Sequence, residues 1–379
     1  MSEWRQLASA LADELVSAGK LRSPEWIAAV RDTPRHLFVP HYLEPDGCGG
    51  WRRVDTVTSG IASVYENVGR YTLVGPDPHG WGDGPLSSSS TPGLMTRMLE
   101  SLDIRDGHRV LEIGTGTGYN AALLCHRLGA DLVVSVDVEP DLITAARTRL
   151  ATLGFTPTLV ARDGADDLAD HGPFDRIIAT CSVPDIPRAW INQLAADGLL
   201  VVDLQPSTAA GNLVLLRRTE DGAAGRFLPG WATFMPLRRA GEVPRSPTAL
   251  DVTAPRRKSG IGYREPWTEP VWWFLASLVL PSGVIFGRFG EGVFLDAADG
   301  SRAEIVPHSD GADVAEYGPT RLWSSIEKLH QEWVGHGRPG WERLGVTVTR
   351  RTQRVWLDDD MAGPSWSLGP IAQDEINKP

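Results

Sequence analysis

The chain has 379 residues, enough for two domains, and its 42% hydrophobic and 22% charged residues are ordinary globular usage. A formal charge of −11, from 48 acidic against 37 basic residues, disfavours a nucleic-acid substrate, which needs a basic face. The longest apolar stretch, Val271 to Leu280, stops at Pro281, well short of the ~20 residues that span a bilayer, so no membrane partner is expected. Met1 to Gln6 shows no basic segment followed by an apolar run, which points to the cytoplasm. Cys48, Cys125 and Cys181 are odd in number and share no metal-like spacing with His, against a disulfide framework and against a zinc site.

Trp4, Leu7, Leu11 and Leu15 recur at helical spacing, and a second helix is expected from Pro24 through Val30. Between Pro40 and Ser87 the chain is Gly-rich and aromatic, with Trp51, Tyr65, Tyr71 and Trp81 and one β-like run around Tyr71 to Val74. Loops that long are disordered or functional, so a lid over an acceptor is expected, with Tyr65, Glu66 and Asn67 as peptide contacts. The bland alternative packs Trp51 and Tyr71 beneath a surface loop. Ser87 to Ser90 lie between Pro85 and Pro92, just before an amphipathic helix, Gly93 to Leu102. By composition alone they read as a flexible linker.

Val110 to Ile113 reads as a buried strand, and Gly114-Thr115-Gly116-Thr117-Gly118 as the turn into a helix from Ala121 to Leu128. Such a helix start favours an anionic group. The next strand, Leu132 to Val136, ends at Asp137, where α/β nucleotide sites place the carboxylate that takes ribose hydroxyls. The glycine spacing is tighter than the dinucleotide pattern, so S-adenosylmethionine fits better than NAD. A third strand, Thr158 to Arg162, leads into Asp163-Gly164, suited to an adenine edge, and a fourth runs from Arg176 to Thr180.

Further strands at Gly198 to Asp203 and Asn212 to Leu216 complete a mostly parallel, doubly wound sheet. The expected fold is α/β and Rossmann-like, with N-terminal helices and an additional C-terminal α+β domain. Residues 241–262, with Pro244, Pro247 and Pro255, read as an interdomain linker. Its Arg256-Arg257-Lys258 is a solvated run or, alternatively, a patch for an acidic leader peptide. Residues 263–379 hold Trp267, Trp272, Trp273, Trp323, Trp333, Trp341, Trp356 and Trp366, enough for a separate core or a peptide groove. Arg321 to Val334 reads as a helix there, and Val346-x-Val348 and Val355-x-Leu357 as half-buried strands.

Thr33-Pro34-Arg35-His36-Leu37-Phe38-Val39-Pro40, Leu111 to Asn120 and Gly172-Pro173-Phe174-Asp175 together resemble the protein-L-isoaspartate (D-aspartate) O-methyltransferase family. The likeness runs over residues 20–240 and ends with Ala232 to Leu237, which looks like that family's last core strand; it implies a catalytic domain over residues 1–240. It also implies that Ser90, Thr91, Glu112, Gly114, Thr115, Gly116, Gly118, Asp137, Val138, Asp163 and Gly164 hold S-adenosylmethionine. The family's substrate loop, Thr-Ile-Ser-Gln-Pro, here reads Ser88-Ser89-Ser90-Thr91-Pro92. A serine-rich loop with a long carboxy-terminal extension is similar to methyltransferases of ribosomally made peptides, lanthipeptide-like or ATP-grasp-cyclised, which methylate an aspartate that then closes to a succinimide.

A carboxylate is already ionised at neutral pH and needs no general base, so Ser88 and Ser90 are the expected catalytic pair, each orienting the acceptor with one hydrogen bond. Three functions follow in order: aspartyl methylation of a precursor peptide, isoaspartyl repair of proteins, and a cofactor-binding regulator without catalysis.

Overall fold

The computed structural model describes residues 2–76, 82–207, 210–239, 255–263 and 268–369; Trp81, Trp267, Pro244, Pro247 and residues 241–254 of the expected linker fall outside them. By its contacts the chain divides into two units. The described residues of 1–181, 187–202 and 234–239 form the first, and those of 182–186, 203–233 and 255–369 the second.

In the first unit, Ala8, Leu11, Ala12 and Leu15 bury one face of α1 (Glu3–Ser17), and Pro24 opens α2 (Pro24–Asp32) at the helix position where its missing N–H is no loss. A short α3 (Arg35–Phe38) carries the Thr33 to Pro40 motif into a sheet that the sequence did not announce. The stretch expected as a lid loop contains β1 (His41–Pro45), β2 (Trp51–Asp55), α4 (Thr56–Ser59) and β3 (Arg70–Pro76). With β4 (Asp83–Ser89) these strands build a sheet in the order β2-β1-β3-β4, antiparallel throughout.

Three residues read as peptide contacts serve this substructure instead. The Tyr65 hydroxyl lies 2.7 Å from His36 Nδ1, Glu66 pairs with Arg70, and Asn67 Oδ1 accepts from the Gly93 N–H at the start of α5 (Pro92–Ser101). Trp51 and Tyr71 pack edge-on, 5.5 Å apart.

The remaining elements alternate strand and helix: β5 (Val110–Ile113), α6 (Tyr119–Leu128), β6 (Val133–Asp137), α7 (Pro140–Ala151), β7 (Thr158–Ala161), β8 (Phe174–Val183), α8 (Arg188–Gln193) and β9 (Leu194–Leu204). Their order is β9-β8-β5-β6-β7, with β5 parallel to both β6 and β8 and β6 parallel to β7. Val110, Leu111, Val133, Val134, Ile177, Ile178, Leu200 and Val201 are fully buried, as continuous apolar strands covered on both faces must be. From β5 the chain winds outward through β6 to β7 and then returns to the other side of β5. The carboxyl end of β5 is therefore the switch point at which such sheets open a crevice.

The second unit begins earlier in sequence than residue 241. The hairpin of β10 (Asn212–Thr219) and β11 (Gly222–Phe227) pairs through β11 with β17 (Leu344–Thr349), which puts residues 203–233 with the C-terminal part. The segment read as linker holds a strand, β12 (Arg257–Ser259), whose Arg257 is clamped by Glu316 and Glu327. It forms a five-stranded antiparallel sheet with β13 (Ile285–Phe289), β14 (Gly292–Asp296), β15 (Arg302–His308) and β16 (Gly311–Tyr317). The other sheet continues from β17 to β18 (Gln353–Leu357) and β19 (Ser365–Ser367).

Two helices, α9 (Pro270–Val279) and α10 (Leu322–Gly335), complete this unit. Trp272, Trp273, Trp323, Trp333, Trp341 and Trp356 are all buried, and Phe274, Phe227 and Trp341 meet in a triangle with centroids 5.0 to 5.2 Å apart. These tryptophans are core. Ala232 to Leu237 is not a core strand; its only ladder position is a single bridge at Pro236.

Candidate active site

The turn after β5 is set by backbone sterics. Gly114, Gly116 and Gly118 have φ of +93°, +51° and +85°, the left-handed region that favours glycine. A Cβ on Gly114 would lie 2.6 Å from Thr180 Oγ1, whose hydroxyl donates to the Ile113 and Gly114 carbonyls at 3.0 and 2.8 Å. We expect Gly114→Ala to lower stability by about 2 kcal/mol, combining strain and clash, and a denaturant titration measures it. Gly118 packs its bare Cα against α7, where a Cβ would sit 3.0 Å from Ala146 Cβ.

Around this turn lies a cavity lined by Ser87 to Ser90, Glu112, Gly114 to Thr117, Asn120, Asp137, Val138, Gly164, Thr180, Cys181 and Met235 to Arg238. Of the residues implied by resemblance, Thr91, Gly118 and Asp163 do not line it. Thr91 stands at the N-cap position of α5, and Gly118 is used in packing. The Asp163 carboxylate accepts from the Ala165 N–H at 2.9 Å and pairs with Arg239 at 3.3 Å.

Asp137 ends β6 beside the glycine turn. Its Oδ2 accepts from the Gly116 N–H at 2.9 Å and its Oδ1 from the Glu139 N–H at 3.1 Å, so both oxygens are fixed and each keeps a lone pair for a hydroxyl. Gly164 is held opposite by the Trp190 indole, which donates to its carbonyl at 2.7 Å, and a Cβ there would meet Ile113 Cγ2 at 2.7 Å. Met235 to Arg238 closes this side, tied down by an Arg238–Glu139 ion pair.

Glu112 is fully buried beneath the turn. Its carboxylate accepts from Asn120 Nδ2 at 2.8 Å and Ser135 Oγ at 2.5 Å, Ser135 Oγ lies 2.6 Å from Thr115 Oγ1, and no cation pairs with Glu112 among the described residues. Burial pushes this carboxyl from the ordinary 4.5 to about 7, against the pull of its two hydrogen bonds. Because the folded pKa is raised, the folded chain holds the extra proton between those values. Stability is then full below pH 4.5 and falls as pH rises through 7, by about 3 kcal/mol. Glu112→Gln should flatten that slope in chemical denaturation between pH 5 and 8. Asn120 Oδ1 is buried and unpartnered, an open acceptor in the same wall.

Ser87 to Ser89 are strand, not loop, and Ser90 follows the strand's end. Ser87 and Ser89 are 5% and 4% exposed, while Ser88 and Ser90 are half-buried. A Cβ on Gly116 would lie 3.5 Å from the Ser88 carbonyl and 3.7 Å from Ser87 Oγ, so the serine wall meets the glycine turn directly. Positive-φ glycines, a fixed carboxylate, a buried carboxyl whose ionised form a cation would favour, and an open acceptor suit a ribose-bearing, cationic ligand, and S-adenosylmethionine is the cofactor with that chemistry. Sequence reasoning missed Ser135, Thr180, Trp190 and Arg35, because their roles lie in long-range hydrogen bonds that leave no local spacing.

Comparison with known proteins agrees. Residues 57–239 match the model of the family Protein-L-isoaspartate(D-aspartate) O-methyltransferase (PCMT). The chain is similar to protein-L-isoaspartate O-methyltransferase 2 of Archaeoglobus fulgidus, 32% identical over 235 residues, which are 62% of this chain and 91% of that protein. It is likewise similar to the protein-L-isoaspartate O-methyltransferase of Methanoculleus marisnigri, 35% identical over 62% of this chain and 89% of that one. A solved structure of a protein-L-isoaspartate O-methyltransferase aligns with a TM-score of 0.54 at 21% identity, covering 93% of this chain and 100% of that one, a likeness of fold. With its Rossmann-like core, its built cofactor wall and relatives covered almost end to end, this chain belongs to the protein-L-isoaspartate O-methyltransferase family, the carboxyl O-methyltransferases that use S-adenosylmethionine.

Proposed function

We propose that this chain methylates the side-chain carboxylate of an aspartate in a ribosomally made precursor peptide. The observation that carries this reading is the serine wall: Ser87 to Ser90 all line the cavity beside the turn that would hold the methyl donor, and Ser88 and Ser90 are the two left partly exposed. When bound, S-adenosylmethionine supplies a methyl on a sulfonium, which an ionised carboxylate can attack unaided. Ser88 and Ser90 would each donate a hydrogen bond to the acceptor carboxylate, orienting it while leaving it nucleophilic. Strand β4 and the Met235 to Arg238 segment exclude water from that line. In the product ester, the next backbone N–H of the peptide attacks the ester carbon, methanol leaves with that proton, and a succinimide remains that water can open to isoaspartate.

A second reading, repair of isoaspartate in damaged proteins, is favoured by the names of the relatives and by the solved structure that spans 93% of this chain. The C-terminal unit therefore does not separate the two readings, and the altered loop alone does. Incubation with S-adenosylmethionine and matched peptides holding aspartate or isoaspartate, followed by mass spectrometry, decides. Gain of one methyl, or loss of one water, at aspartate is expected. Transfer only at isoaspartate would assign the chain to repair, and no transfer to any peptide would favour a regulator without catalysis.

A further inference from the structure

Arg35, in the Thr33 to Pro40 motif, is fully buried. Its Nη1 donates to the Val64 and Glu66 carbonyls at 2.6 and 3.2 Å. Its Nη2 reaches the carbonyls of Val68, Ser89 and Ser90 at 3.4, 3.5 and 3.2 Å and Ser89 Oγ at 3.2 Å. Nε is buried with no partner, and among the described residues no carboxylate pairs with this guanidinium. The charged and titratable groups around it are Tyr119, whose ring is 5.6 Å away, Tyr65 and Arg70, none of them an anion at neutral pH.

Burying a cation against carbonyls alone is costly, and a neutral side chain could bridge the same segments more cheaply. What the charge adds is a positive potential behind the wall formed by Ser89 and Ser90. Behind the glycine turn lies Glu112, whose carboxyl no cation offsets among the described residues and whose ionised form a cationic donor would favour. An anionic acceptor would face the buried positive charge of Arg35. Desolvation holds the Arg35 pKa down at about 10, still a cation at neutral pH.

We propose that Arg35 is the positioning residue of the acceptor site: it fixes the serine strand through the Ser89 and Ser90 backbone and supplies the positive potential that draws an acidic side chain to Ser88 and Ser90. This rests on the reading of those two serines as the acceptor wall. A thiol placed at Ser90 reports the potential without any substrate. In Ser90→Cys the alkylation pKa with iodoacetamide is expected below the ordinary ~8.5, although partial burial alone would raise it. Adding Arg35→Gln should raise that pKa by about one unit or more, and Arg35→Lys should keep it low.

In the otherwise unaltered chain, Arg35→Gln should raise the peptide KM about tenfold at unchanged S-adenosylmethionine affinity, with Arg35→Lys restoring it. A thiol pKa at or above 8.5, or one indifferent to Arg35→Gln, overturns the proposal, and the Ser90→Cys value alone decides where Arg35→Gln does not fold. The acceptor-wall reading fails separately, if Ser88→Ala and Ser90→Ala leave methyl transfer at full rate.

Discussion

Asp137→Ala is expected to weaken S-adenosylmethionine binding by at least about 100-fold, the largest effect of any single substitution in the cofactor wall. Two charge-assisted hydrogen bonds to ribose hydroxyls contribute about 1.5–3 kcal/mol each, and about 2.7 kcal/mol already corresponds to a hundredfold. The substitution also frees the Gly116 and Glu139 N–H groups, which Asp137 now holds at 2.9 and 3.1 Å, so the turn loses the contact that shapes it. Asp137→Asn tests the charge separately: it keeps one acceptor but turns an amide donor toward one of those N–H groups. Titration calorimetry of both variants measures the loss, and an affinity within threefold of the parent for Asp137→Ala would remove Asp137 from the ribose site.

The second large effect falls on turnover. Ser88→Ala combined with Ser90→Ala should lower kcat by about 100- to 1,000-fold while S-adenosylmethionine affinity stays within about twofold. Each hydroxyl donates one hydrogen bond to a charged acceptor, worth about 1.5–3 kcal/mol, and the two act on one group, so their effects need not add. Ser89 provides the control. Its Oγ is buried in the grip of Arg35, so Ser89→Ala should cost stability more than rate. Equal losses of cofactor affinity and rate in the Ser88/Ser90 variant would contradict the division of labour between the two walls.

The parallel core was legible because β5 and β6 are short and fully buried and β8 carries a buried apolar run from Ile177 to Ala179, and because a positive-φ turn admits little besides glycine. Asp137 followed from its place at a strand end. Of the four-stranded sheet over residues 41–89 only the run around Tyr71 to Val74, within β3, was legible: the other strands are polar and half-exposed, as in His41-Tyr42-Leu43-Glu44-Pro45, and lack the alternation that marks a strand. The same holds for Ser87 to Ser90, where four serines in a row carry no hydrophobic period, although their burial alternates strictly.

Asp163 lies beside Gly164, which lines the cavity, and its carboxylate pairs with Arg239, 76 residues away, a pairing that no local pattern foretells. The unit boundary was missed because the strand pairing of β11 with β17 joins residues over 100 positions apart. Arg35 stood inside a recognised motif, yet its six hydrogen bonds to residues 64–90 appear only once the chain is folded.

No helix among the described residues is long and apolar enough to cross a membrane. The central claim is that the crevice at the carboxyl end of β5 holds S-adenosylmethionine through Asp137, facing an acceptor wall of serines. Isothermal titration of the full chain with S-adenosylmethionine tests it most directly. One equivalent should bind with measurable heat, and that heat should vanish in Asp137→Ala; a folded parent chain that releases none would contradict the account.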